Sequence, residues 1–72
     1  MSEIEDDLRA TAEAIIADAE KVKGIEQDKL DLPPGDDRIP ELAEEAEEVA
    51  ERILQEATVE RELAARQADE QR

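Results

Sequence analysis

The chain predicts an all-α fold, a two-helix antiparallel hairpin, and three observations carry that prediction. A single break, Asp31-Leu32-Pro33-Pro34-Gly35-Asp36-Asp37, divides the 72 residues into two long stretches. Both stretches space their apolar residues three and four apart, the interval that lines one face of a helix. Folding the chain back at the break also sets basic residues of one stretch beside acidic residues of the other.

The first helix is expected over about residues 2–31. It opens with Ser2-Glu3-Ile4-Glu5, a capping box in which the Ser2 hydroxyl and the Glu5 carboxylate satisfy each other's backbone amides. Glu3, Glu5, Asp6 and Asp7 then sit where the positive end of the helix dipole favours acids. Ile4, Leu8, Ala12, Ile15, Ala19 and Val22 trace one face. Gly24 interrupts that face and costs about 1 kcal/mol relative to Ala inside a helix, yet good helix formers follow it, so a continuous helix is expected. Leu32 precedes Pro33 and is steered away from helical angles, which ends the helix near Asp31.

Residues 32–37 are expected to turn, with Pro34-Gly35 at the centre of a type II turn and Gly35 taking the positive φ. The second helix is expected over about residues 38–66, with Asp37 as N-cap and Pro40 tolerated in the first turn. Its face runs through Ile39, Leu42, Ala46, Val49, Ile53, Ala57 and Leu63, and lapses at Glu60. The tail, residues 67–72, has no large apolar side chain and is expected to fray.

Short connections join antiparallel neighbours, so residues opposite each other should have numbers summing to about 68 or 69. In that register Lys21, Lys23 and Lys29 meet Glu41, Glu44, Glu45, Glu47 and Glu48, while Glu3, Glu5 and Asp7 approach Arg61 and Arg66. Exposed ion pairs contribute only about 0–1 kcal/mol each, so they select orientation while burial supplies stability. The seam is expected to comprise Ile4, Leu8, Ile15, Val22, Leu42, Val49, Ile53 and Leu63, with Ile16, Ile25 and Leu54 left off it.

Composition bounds what such a hairpin can do. Twelve of the 28 residues counted as hydrophobic are Ala, and there is no Phe, Tyr, Trp, Cys, His or Asn, which removes stacking platforms, thiol chemistry and imidazole ligands together. The hydroxyls are Ser2, Thr11 and Thr58, with no His to activate them, so no enzymatic activity is expected. Carboxylates one turn apart, Glu44 with Glu48 and Glu47 with Glu51, and the turn acids Asp36 and Asp37, read as a solvated acidic surface and not as a metal site. No cofactor is expected. A net charge of −14 repels nucleic-acid phosphates and anionic lipid alike, and no run approaches the length of a transmembrane helix. An acidic N-terminus is unlike a signal peptide, and the expected location is cytoplasmic.

Two helices of this composition bury little on their own, so the hairpin is expected to self-associate, most simply as a homodimer forming a four-helix bundle. The expected function is a small interaction module with an assembly or adaptor role, in which Ile16 and Leu54 join the seam residues in self-association. The alternative is an acidic regulator or inhibitor that holds a basic protein through Glu41, Glu44, Glu45, Glu47, Glu48 and Glu51.

Overall fold

The computed structural model describes residues 3–71. Two helices account for nearly all of them: α1, Glu3–Leu30, and α2, Arg38–Glu70, packed side by side as a hairpin. No strand occurs among the described residues. The molecule is a rod, with principal extents of 55 × 16 × 13 Å.

The connection forms as its residues dictate. α1 unwinds where Leu32 meets Pro33, its last carbonyls accepting from the Asp31 and Leu32 amides at 3.2–3.3 Å. The Asp36 amide then donates to the Pro33 carbonyl at 3.1 Å, closing a four-residue turn around Pro34-Gly35. Gly35 has φ +84°, the left-handed angle that the third position of a type II turn demands.

The cap of α2 lies one residue earlier than expected. Asp37 already has helical angles and makes no side-chain cap bond. Asp36 caps instead: its Oδ1 accepts from the Arg38 amide at 2.9 Å, and its carbonyl accepts from the Ile39 amide at 3.0 Å. The Arg38 guanidinium closes back on the same carboxylate, donating from Nε at 3.1 Å and from the terminal nitrogen at 2.9 Å. Those bonds, side chain first and backbone second, lower the Asp36 pKa from 3.8 to about 2.

α1 passes through Gly24 without a break, as its helix-forming neighbours imply. α2 outlasts its expected limit and runs to Glu70, so residues 67–70 are helical. Ala65 and Ala68 supply helix propensity there, and Gln67 continues the half-buried face where no large apolar residue does. The Ser2 half of the expected capping box lies outside the described residues.

The seam follows a stricter period than apolar residues alone indicate. On α1 the buried or half-buried positions include Ile4, Leu8, Thr11, Ile15, Asp18, Val22, Ile25 and Lys29, and on α2 Ile39, Leu42, Ala46, Val49, Ile53, Glu56, Glu60, Leu63 and Gln67. Spacings of three and four alternate without a slip, the heptad pattern of a coiled coil. Ile25 is therefore central to the seam, where the sequence reading had set it aside. Ala19 and Ala57 are exposed, their places taken by Asp18 and Glu56. Heptad positions face each other across the pair when their numbers sum to about 71, a shift of two or three residues from the expected register. The cross-helix contacts agree, since Asp18 engages both Arg52 and Glu56.

Candidate functional site

Three features of this rod have chemistry to offer: a polar cluster in the seam, an acidic stretch on α2, and large apolar side chains left in solvent. The cluster arises because the heptad carries polar residues into the seam at the middle of both helices. Asp18 is 8% exposed, the one buried charged residue among those described. Its Oδ1 accepts from the Arg52 guanidinium at 3.0 Å and its Oδ2 from Arg52 Nε at 3.4 Å, joining the two helices. Lys21, one turn along α1, adds a looser ion pair at 3.9 Å.

Glu56 completes the cluster from α2 and faces the Asp18 carboxyl. Its Oε1 is buried and has no hydrogen-bond partner. Two carboxylates at one place cannot both ionise freely, and the one with fewer donors holds its proton to higher pH than it otherwise would. The hydrogen bond with Asp18, followed by burial, accordingly raises the Glu56 pKa, while the bonds from Arg52 hold Asp18 below the ordinary carboxylate range. Arg52 is pushed up in turn by Asp18. When protonated, Glu56 can donate to Asp18 and extend the chain Arg52, Asp18, Glu56.

None of this cluster was singled out from the sequence. Asp18 and Arg52 are 34 positions apart, and a search for apolar periodicity passes over an Asp at a seam position. The signal was present in the unbroken heptad Ile4, Leu8, Ile15, Val22 and Ile25, which skips places that only Thr11 and Asp18 can fill. Thr11 meets the demand locally, donating its hydroxyl proton to the Asp7 carbonyl at 2.7 Å.

The expected seam residues Ile4, Leu8, Ile15, Val22, Leu42, Ile53 and Leu63 are half-buried, and Val49 is buried. Ile16 and Leu54 are 60% and 68% exposed. The acidic residues Glu41, Glu44, Glu45, Glu47, Glu48 and Glu51 are all exposed along α2. The lysines do not bridge to them as the expected register required. Lys21 reaches Asp18, and Lys29 binds the Glu26 carboxylate at 3.1 Å, both within α1. An i, i+3 partner costs a lysine less ordering than one across a seam shifted by two or three residues. Among the described residues no group of three or more acids is placed to hold a metal ion, and no helix is long and apolar enough to cross a membrane.

Searches of protein-family models, of characterised proteins and of solved structures find no match to this chain.

Proposed function

We propose that the protein is a self-associating helical hairpin that serves as an interaction and assembly module. One observation carries this reading: among the described residues only two apolar side chains, Ile25 and Val49, are buried in the hairpin, at 7% and 6% exposure. No side chain among the described residues is fully enclosed. A folded chain of this length needs more apolar surface withdrawn from water to offset the entropy of ordering, and a second layer of helices is the economical way to withdraw it. Sedimentation equilibrium at micromolar concentration, at about 0.05 and about 0.5 M salt, tests the reading. A dimer or larger species that holds or tightens as salt rises is expected, because salt screens the repulsion between two chains of charge −14. A compact, folded monomer at both salts defeats it.

A second reading has its own support. The ion pairs of Lys21 and Lys29 are made within α1, and the glutamates of residues 41–51 are all exposed, so negative charge is concentrated toward solvent along this part of α2. Such a stripe suits docking of a basic protein, with the chain acting as an acidic regulator or inhibitor. Complexes captured at low salt and released steeply as salt rises would support it. Replacing Glu44, Glu45 and Glu48 by Gln should then abolish capture, and capture unaffected by these changes rejects the reading.

A further inference from the structure

The two broad sides of the hairpin differ in charge, and the difference selects where a second copy docks. Grooves mark one side: Ala14 and Val59 line one of them, and Lys21, Asp28, Glu45, Glu48 and Arg52 surround another. That side is acidic. In an antiparallel heptad pair the flanks are formed by like positions, so the grooves place the other flank opposite, through Ala12 and Ala19 on α1 and Ala43, Ala50, Ala57 and Ala64 on α2. Next outward on the same side are Arg9, Ile16, Lys23 and Leu30 along α1, and Pro40, Glu47, Leu54 and Arg61 along α2. Its bases Arg9, Lys23 and Arg61 are matched by the acids Glu5, Glu26 and Glu47, so this side is neutral on a chain of net charge −14. The highly exposed large residues Ile16, Leu54 and Leu30 belong to it. Of the exposed large apolar residues described, Val59 alone lies on the grooved side.

We infer that this neutral side is the docking surface for a second copy of the chain, packed face to face about a two-fold axis parallel to the helices. The inference rests on the self-association proposed above and specifies its surface and symmetry. A rod 55 Å long and 16 Å wide presents about 880 Å² on one side, comparable with the roughly 800 Å² per partner of a standard interface. The stated axis lays α1 of one copy over α2 of the other at equal height. Ile16 then meets Leu54 of the second copy, Leu30 meets Pro40, and Lys23 meets Glu47, each contact occurring twice. Alanines between these columns let the helices approach closely, and every helix gains an antiparallel neighbour. Arg9 opposite Arg61 is the one like-charge meeting. A two-fold axis across the rod would set Lys23 against Arg9 and Glu47 against Arg61, so the responses of Lys23 and Glu47 distinguish the two arrangements.

The test is sedimentation equilibrium of the full chain and four variants, with circular dichroism confirming helix content. Ile16→Asp, which leaves the seam untouched, should weaken dimerisation roughly a hundredfold or more. Lys23→Glu should weaken it about tenfold, and so should Glu47→Lys, although the latter lowers the net charge and with it the general repulsion. Lys23→Glu combined with Glu47→Lys restores both the charge of −14 and the pairing, and should return the affinity of the parent chain. A monomeric parent chain overturns the self-association and this inference together. A dimeric parent indifferent to Ile16→Asp leaves self-association standing and rejects the surface. Tightening by Lys23→Glu, or no rescue by the double exchange, rejects the symmetry.

Discussion

The half of the seam nearest the turn and the half farthest from it obey the same heptad and differ in what they place on it. Near the turn Val22, Ile25, Leu42, Ala46 and Val49 line up, with Lys29 the one charged seam residue and held by Glu26 of its own helix, and both buried apolar residues, Ile25 and Val49, lie there. Farther out the seam carries Thr11 and Asp18 against Glu56, Glu60 and Gln67, with Leu8, Ile15, Ile53 and Leu63 between them. The helix period alone does not decide stability. The turn half can expel water, whereas the far half must satisfy charges and does so incompletely, as the unpartnered Glu56 Oε1 shows. The first is built for stability and the second for register, since shifting α1 by a heptad would separate Asp18 from Arg52.

The sharpest way to break this comparison is to cut the same side chain from each half. Ile25→Ala removes a buried isoleucine and should cost about 2 kcal/mol in urea denaturation, the low end for a core position because two helices enclose it only in part. Ile15→Ala removes a half-buried isoleucine beside the polar cluster and should cost about 1 kcal/mol. Equal losses would mean that the seam is uniform and that the halves differ only in appearance. All samples need one protein concentration, because association adds to apparent stability by mass action.

Next in size is Gly24→Ala, which strengthens the half that already holds. A methyl group at Gly24 would meet nothing within 4 Å, and the residue is helical, so the substitution costs no packing. A gain of about 1 kcal/mol is expected in the same assay. No gain, with helix content unchanged, would show that Gly24 has angles or neighbours an alanine disturbs.

How far the fold could be read from sequence follows from the same contrast. The turn was legible because Pro33, Pro34 and Gly35 restrict the backbone locally, and the closing bond from Asp36 to Pro33 forms where those restrictions imply. The hairpin was legible because apolar residues alternate at three and four. The register and the cluster were not, because both depend on polar residues at seam positions. Ala12 and Ala19 are apolar and adjacent to those positions, so they drew the expected face one residue away from Thr11 and Asp18. Ile25 was lost to the same slip. Charge order pointed to the right topology while misassigning its partners, since Lys21 and Lys29 find acids within their own helix. The capping residue was missed by one place because Asp36 and Asp37 are chemically alike, and only their backbone angles separate them.

The smallest effect isolates the far half through its pH dependence. Glu56 has a folded pKa raised above its ordinary 4.5, so it contributes stability that is fully present below that value and is lost as pH rises through the folded pKa. Asp36 and Asp18 have lowered values; their contributions are present above 3.8 and are lost as pH falls below it, for Asp36 through about 2. The melting temperature should therefore rise as pH falls from 7 toward the ordinary glutamate range, then fall again once pH drops below about 4. Glu56→Gln places a neutral donor beside Asp18 at every pH, which imitates the protonated glutamate. This variant should melt higher than the parent at pH 7, converge with it as falling pH protonates Glu56, and keep the acid fall that belongs to Asp36 and Asp18. A rise of the same size in Glu56→Gln would assign the effect to repulsion spread over the 23 acids of the chain and not to the seam. Loss of the rise would place it at Glu56, where a heptad position in the far half carries a carboxylate against Asp18.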